Sequence, residues 1–406
     1  MDFTDEVFLF FAYVTLYFLV LFMLIYLRNR DDMFRKHPEG RLPSVTIIIP
    51  AYNEEANIAA TIRKVKEFDY PKESLEIIVI DDGSKDRTAE AAMKEAVTVI
   101  TKENGGKAAA LNHGIGLAKG EIVGCVDADS YPEADALRNM VHYFEEDEKT
   151  AAVTSSVLVR DPKTYLERLQ DMEYVLIAWG RKLLDYIQSV YVTPGPLSLY
   201  RTEALKRVGG FDESVLTEDI EVAWRLHRAG YNVRMALSAR VYTNAPRSFR
   251  KWWNQRLRWD IGGIQTAGRY RHALFRRAYG VFGMFIVPFF SVSIIVSLVG
   301  LGLFAYLLVT RVSDFAVFSY YSLNAGINPL EHYSLSFLPN VFTVMGFLGL
   351  GFSVIYLVAG LRAMGKEIRP RTVLDMALYL LPYLFLFPII LVHSIWRLAA
   401  YKKQRW

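Results

Sequence analysis

The polarity of this chain changes abruptly in four places. Residues 7–27 are an uncharged apolar run, long enough to cross a bilayer as a helix. A long stretch of mixed polarity follows, 28–277. Three further apolar runs occupy 279–309, 341–361 and 373–396, and each predicts a span. Buried core helices are seldom so long and so nearly free of charge. The first run has no basic leader and no small-residue cleavage site, so it reads as an anchor and not a signal peptide.

Within the mixed region the period changes from strand to helix and back. SVTIIIP is a short β-branched run ending at Pro50 and predicts a buried strand. AYNEEANIAATIRKVKEF predicts turn and helix, with Asn53 as cap. LEIIVIDDGS predicts a second strand, RTAEAAMKEA a helix capped by Asp86 or Ser84, and VTVIT a third strand. NGGKAAALNHGIGLAKG is a Gly-rich loop and helix, and EIVGCVDADS a fourth strand. Continuous apolar strands alternating with helices predict an α/β fold, a parallel sheet covered on both faces. Ligands of such sheets bind beyond the carboxyl ends of the strands, where Asp81, Asp82, Asp127 and Asp129 fall. AAVTSSVLV is a further strand. The 163–188 segment carries Leu166, Leu169, Leu176 and Leu183 at helical spacing and reads as a packed helix, not a binding element. The stretch 249–270, dense in Trp and Arg, precedes the second apolar run and is expected to rest partly on the membrane surface.

Charge adds orientation. No basic residue precedes the first run, whereas Arg28, Arg30, Arg35 and Lys36 follow it, which predicts a cytosolic middle region. Arg269, Arg271, Arg276 and Arg277 guard the second run on the same side. The 310–340 loop carries only Arg311 and reads as external. The tail RLAAYKKQRW breaks the rule if the last run, with Pro382 and Pro388, crosses fully, and crossing is the reading adopted. The net charge of +4 contains no long basic run, so nucleic acid is not an expected partner. A single cysteine, Cys125, excludes an intrachain disulfide and a cysteine-held zinc.

Several residues carry candidate chemistry. Asp127 and Asp129 alternate at a strand end, and hard oxygens there suit Mg²⁺ or Mn²⁺ bridging a diphosphate. Asp81 and Asp82 end the neighbouring strand, where a carboxylate accepts from a nucleoside, or simply closes an Asp-Gly-Ser turn. Lys107 follows two glycines at a helix start, and its ammonium and the free N–H groups of that turn suit a diphosphate. GGKAAALN lacks the spacing of a P-loop. Thr217, Glu218 and Asp219 either cap a helix or supply a carboxylate base. Gln255, Arg258 and Trp259 share one helical turn, where an indole face can stack on a sugar and a guanidinium can hold a phosphate. An interfacial aromatic belt is the alternative, and it also accounts for Trp252 and Trp253.

The order of these motifs carries a resemblance. PAYNE (50–54), DDGS (81–84), GKAAALNHG (106–114), DAD (127–129), TED (217–219) and QRLRW (255–259) resemble the successive motifs of the processive, membrane-integrated inverting glycosyltransferases of the GT-A fold. That group holds the hyaluronan, chitin, cellulose and poly-N-acetylglucosamine synthases. GPLSLYR (195–201) is similar to the loop before their acceptor site. The resemblance covers about residues 44–270. One anchor before the domain and three spans after it look like the chitin-oligosaccharide branch.

The resemblance implies a cytosolic GT-A, Rossmann-like catalytic domain at 31–248, an anchor at 1–30, an interfacial region at 249–278 and transmembrane helices at 279–406. It implies transfer from a UDP-sugar, N-acetylglucosamine or a relative, to a growing β-linked polysaccharide in the cell membrane, with export as an extension. Tyr52, Asn53, Glu54 and Asp82 would contact the nucleoside, with Asp81 beside them. Lys107 and Arg258 would hold the diphosphate, and Asp129 with Asp127 the metal. Asp219 would be the base with Glu218 next to it, and Gln255 and Trp259 would position the acceptor. Two other readings stand beside it: single addition to a lipid acceptor, and an inactive membrane scaffold or transporter subunit.

Overall fold

The computed structural model describes residues 3–34, 40–329 and 341–400. Arg35 and Lys36, the 330–340 part of the expected outer loop, and the tail from 401 lie outside the described residues. Eight strands form one sheet: β1 (Val45–Ala51), β2 (Leu75–Asp81), β3 (Thr98–Thr101), β4 (Ile122–Cys125), β5 (Ser130–Pro132), β6 (Thr150–Val159), β7 (Ser198–Arg201) and β8 (Asn232–Thr243), in the order β3-β2-β1-β4-β7-β6-β8-β5. β1 is buried along its whole length because it is central and its VTIII run is apolar or β-branched.

Strands β3, β2, β1 and β4 are mutually parallel, as the alternating pattern predicts. The second half departs from that expectation. β7 runs antiparallel to both β4 and β6, and β5 antiparallel to β8. The sheet is therefore mixed. β5, β7 and β8 were not anticipated, and β7 is built from the SLYR of a segment read as loop. Four residues with one polar and one charged member show little periodicity, so only the pairing partners reveal such a strand.

Helices α2 (Ile58–Lys66), α3 (Thr88–Met93), α4 (Lys107–Leu117), α5 (Ala136–Glu146), α6 (Tyr165–Asp185), α7 (Thr202–Arg207) and α8 (Glu218–Arg228) accompany the sheet. α6 starts at a capping box: Thr164 Oγ1 accepts from Glu167 N–H, and the Glu167 carboxylate accepts from Thr164 N–H at 2.7 Å. Asn53 is not the cap of α2. It takes a left-handed φ of 55° and its side-chain oxygen accepts from Lys85 N–H at 2.8 Å, tying the 52–54 turn to the DDGS turn. Asp86 does serve the start of α3, accepting from Thr88 N–H at 3.0 Å.

Four helices are long and apolar enough to cross a membrane. They are α1 (Phe3–Asn29), α10 (Val287–Asn324) with a π-helical turn before it, α11 (Val341–Ala363) and α12 (Pro370–Ala400), the last preserving its helix through Pro388. The span expected to end near 309 continues to Asn324. Residues 310–324 contain no Gly or Pro, so nothing stops the helix until Gly326, whose φ of 71° turns the chain. At 1.5 Å per residue α10 reaches roughly 57 Å, well beyond a ~30 Å hydrocarbon core.

The membrane helices and the sheet domain are keyed together by α6. Trp179 is fully buried, with the Tyr356 ring of α11 at 4.5 Å and the Tyr26 ring of α1 at 5.3 Å. Arg168–Asp375 and Lys366–Asp171 ion pairs flank that contact. α9 (Phe249–Tyr270) packs on α12, with Trp252 buried against Leu169 and Ile390, and Trp253 donating to His393 at 3.2 Å. These two tryptophans therefore serve intramolecular packing rather than a bare interfacial belt.

Candidate active site

The parallel half of the sheet opens at the carboxyl end of β4. Its ladder with β1 runs to Ile48 opposite Cys125, and Val126 N–H donates to the Ile48 carbonyl at 3.1 Å. The next donor toward β4 would be the N–H of residue 50, and Pro50 has none. The pairing stops, and Asp127 and Asp129 leave the sheet on a turn closed by Ser130 N–H to the Asp127 carbonyl, 3.0 Å. Both aspartates line a cavity of about 440 Å³ that also takes in Lys107, Glu218, Asp219, Gln255, Arg258 and Trp259. Eight of the residues picked from four distant motifs thus share one enclosure.

Lys107, the first residue of α4, points across it. Its Nζ lies 2.5 Å from Asp127 and 3.4 Å from Glu218. Burial pulls this ammonium down, but Asp127 and Glu218 outweigh burial and hold it above its ordinary value. The 194–196 loop crosses directly over the pair. A Cβ on Gly195 would stand 2.6 and 2.7 Å from the Asp127 carboxylate oxygens, so only glycine permits the crossing. Asp129 is pushed up to about 6 by burial first, then by Asp127 and Glu54. A half-buried carboxylate repelled by its neighbours is a site short of positive charge. Among the described residues no third carboxylate, histidine or cysteine completes a protein-only metal cluster. Two hard carboxylates with open positions fit Mg²⁺ or Mn²⁺ that also take phosphate oxygens.

The DDGS turn lies beside this cavity and works differently from expectation. The Asp82 carboxylate is buried and already used: Lys102 donates at 2.7 Å, Gly106 N–H at 2.7 Å and Gly105 N–H at 3.0 Å. The N–H groups of Gly105 and Gly106, just before the helix, are thus spent on Asp82, which folds the Gly-rich loop and sets the start of α4. Asp81, equally buried, accepts from Ser84 N–H at 3.3 Å. Tyr52 stays largely exposed above this turn, and Glu54 accepts from Asn57 at 2.7 Å.

The TED motif begins α8. Thr217 occupies the N-cap position, yet its side chain makes no capping bond and its Oγ1 is buried without a partner. Gly262 of α9 abuts that threonine, and any side chain there would collide with it. Asp219 is raised above the usual carboxylate range, by burial first and by Glu218 second, against Lys107 and Arg258, which lower it. Gln255 accepts from Gln170 at 3.1 Å, and the Trp259 ring stacks on Tyr174 with centroids 6.3 Å apart.

Three features were not anticipated. Arg256, the first arginine of QRLRW, is fully buried and pairs with Glu173 through two bonds of 2.7 and 2.6 Å, while its guanidinium covers the Trp259 ring at 4.2 Å. Asp260 lines the cavity with one carboxylate oxygen buried and unpartnered. The leucine spacing of α6 predicts packing only, but Tyr174, Ile177, Ala178 and Arg181 form one wall of the cavity. Leucine spacing marks the buried stripe of such a helix and is silent about the stripe beside it. The Arg256–Glu173 pair yields a stability prediction. Arg256→Met strands a buried carboxylate and is expected to lose about 3–5 kcal/mol, whereas adding Glu173→Leu restores most of it. Thermal melting of the two detergent-solubilised variants checks this; equal melting would deny the pair its structural role.

Known proteins resemble the same stretch of chain. The profile of the glycosyltransferase like family 2 matches residues 43–262. The poly-beta-1,6-N-acetyl-D-glucosamine synthase of Staphylococcus aureus (strain COL) is 33% identical over 265 residues, covering 63% of this chain and 64% of that protein. The chain thus matches somewhat less than two thirds of that synthase's length. The probable glycosyltransferase YdaM of Bacillus subtilis (strain 168) is 33% identical over 235 residues, 54% of this chain and 55% of that one. Among solved structures, the mannosyltransferase PcManGT from Pyrobaculum calidifontis, in complex with GDP-Man and Mn²⁺, superposes with a TM-score of 0.55 at 23% identity, over 86% of this chain and 96% of that one. That likeness establishes the GT-A fold. With its profile match spanning the whole sheet and running into α9, the chain belongs to the glycosyltransferase like family 2.

Proposed function

We propose that this chain transfers a sugar, N-acetylglucosamine foremost, from a UDP-sugar to the growing end of a β-linked polysaccharide, with inversion at the anomeric carbon. The observation that carries the reading is the meeting of Lys107, Asp127, Asp129, Glu218, Asp219, Gln255, Arg258 and Trp259 around one cavity. Similarity to the poly-N-acetylglucosamine synthase supports the choice of sugar.

The nucleoside would lie over Tyr52, Asn53, Glu54 and the Asp81–Asp82 turn, with Asp82 shaping the loop from beneath. Lys107 and Arg258 face the diphosphate. Asp127 and Asp129 would hold Mg²⁺ or Mn²⁺, which when bound neutralises charge on the leaving diphosphate. The acceptor's terminal sugar stacks on Trp259, with Gln255 alongside. Asp219 takes the proton from the acceptor hydroxyl as its oxygen attacks the anomeric carbon from the face opposite UDP. The bond to the diphosphate breaks, and inversion follows from that single displacement.

The cavity also reaches Phe290 and Ile294 of α10 and Leu391 of α12, so its far wall belongs to the membrane helices. That observation favours a second reading, one addition to a lipid acceptor. Product analysis with UDP-N-acetylglucosamine separates the two. A ladder that lengthens with time supports polymerisation, and a single glycolipid supports the alternative. Absence of any transfer or hydrolysis would favour the scaffold reading and sink both.

Orientation is part of the proposal: the sheet domain faces the cytosol. Lys85 is exposed on the DDGS turn and Cys125 is buried, so Lys85→Cys adds one reactive thiol to a silent background. Impermeant maleimide is expected to label it in opened cells and not in intact ones. Labelling in intact cells would reverse the topology.

A further inference from the structure

Three lysine or arginine side chains are buried among the described residues: Arg181, Lys182 and Arg256. Two are matched. Lys182 meets Asp185 at 2.8 Å, the Met235 carbonyl at 3.1 Å and the Tyr143 hydroxyl at 3.3 Å. Arg256 meets Glu173. Arg181, next in sequence to Lys182 and only 7% exposed, has no hydrogen bond or ion pair among the described residues. It lines the cavity instead, and the groups that bear on it electrostatically are Tyr191, Asp219 and Tyr174. Burial pulls its guanidinium down to about 10. Its nitrogen atoms are not sealed in the core but open on the cavity, where a ligand can meet them.

The neighbourhood says what the missing partner is. Tyr174, Ala178 and Arg181 lie at i, i+4 and i+7 on α6, one face of a helix directed into the cavity. The first of them stacks on Trp259, so an aromatic platform for a sugar and a guanidinium share that wall. The donor diphosphate has its own cations at Lys107 and Arg258. Arg181 lies within electrostatic reach of Asp219, on the acceptor's side of the reaction. A guanidinium is a planar fork suited to two adjacent oxygens, and a pyranose offers such pairs along its ring.

Resting on the function proposed above, we infer that Arg181 is an acceptor-binding residue: it grips two adjacent oxygens of the acceptor's terminal sugar and turns the attacking hydroxyl toward Asp219. The residue thus selects for a sugar-ended acceptor. A phosphate-ended lipid is the competing occupant, and the test includes it.

The test uses the full chain in detergent micelles, with a β-linked N-acetylglucosamine pentamer as acceptor probe, UDP as donor-site probe, and polyprenyl phosphate as competitor. For Arg181→Met the pentamer is expected to bind about 10–100-fold more weakly, the loss of a charged hydrogen-bond donor. UDP affinity stays at the wild-type value. The melting temperature stays level or rises, because an unmatched buried charge has been replaced by an apolar chain of similar length. Arg181→Lys retains part of the pentamer affinity. Unchanged pentamer binding overturns the inference, as does a lower melting temperature with both affinities lost, which would make the arginine structural. Competition by polyprenyl phosphate that Arg181→Met abolishes overturns it in favour of a phosphate. If the wild type fails to transfer from UDP-N-acetylglucosamine, the proposed function fails and takes the inference with it. Wild-type transfer that Arg181→Met matches at every pentamer concentration sinks the inference alone.

Discussion

Asp219→Asn is expected to bind UDP-sugar as the wild type does and to turn it over about 10²–10⁴-fold more slowly, the range for losing a general base. On the function proposed, the donor would be held by its nucleoside and diphosphate, away from this carboxylate. The amide keeps the size and most of the hydrogen bonding but cannot take a proton. A helix-capping role forecasts a near-normal enzyme, since Asn caps nearly as well as Asp. That role is already weakened by the geometry, because the N-cap is Thr217 and its side chain caps nothing. Stability separates the readings further. Asp219 is raised by burial and Glu218, so its folded-state value lies above its unfolded one. The sign follows: the group favours the folded state at low pH, and that contribution is lost as pH rises through the folded value. At neutral pH the ionised carboxylate is a burden, and Asp219→Asn is expected to melt no lower than the wild type. Turnover should rise with pH across the same window, because the base must be ionised to act. Calorimetric UDP affinity, turnover and melting on one preparation check all three; near-normal turnover would move the base to Glu218.

Removing divalent metal is expected to abolish transfer, and added Mn²⁺ or Mg²⁺ to restore it. Asp127 is partly satisfied by Lys107, but Asp129 is left facing Asp127 and Glu54 with its titration pushed up to about 6. A diphosphate brought into that setting adds like charge to like charge, so two carboxylates without a cation oppose the leaving group. Asp129→Asn is expected to weaken metal-dependent donor binding while leaving the melting temperature in place. Full turnover in excess chelator would remove the metal from the account.

Much of this site was legible because its parts lie at ends. A β-branched run that stops at Pro50, a strand that stops before Asp127, and a helix that starts at Thr217 each announce a sheet edge or a helix terminus where ligands bind. The closeness of Lys107 and Asp127 follows from the β3–α4–β4 connection of the parallel half, which alternation predicts, whereas Glu218 arrives on α8 from the antiparallel half. What stayed hidden depends on partners distant in sequence. β7 becomes a strand only through β4 and β6. The Asp82 carboxylate is bonded by a loop more than twenty residues on, a contact that nothing local to DDGS announces. Arg181 sat in a leucine-spaced helix, and no local signal distinguishes an arginine facing a cavity from one facing solvent. The length of α10 beyond 309 was hidden for another reason: hydropathy falls there, yet no Gly or Pro interrupts the helix before Gly326.

On the function proposed, this cavity breaks the bond between a sugar and UDP. The most direct measurement incubates the purified full-length chain with radiolabelled UDP-sugars and Mn²⁺ or Mg²⁺ and follows released UDP beside labelled product. Metal-dependent release is expected, greatest with UDP-N-acetylglucosamine, matched by sugar in a β-linked product and suppressed about a hundredfold or more by Asp219→Asn. No release from any UDP-sugar, or release that Asp219→Asn leaves intact, would contradict it.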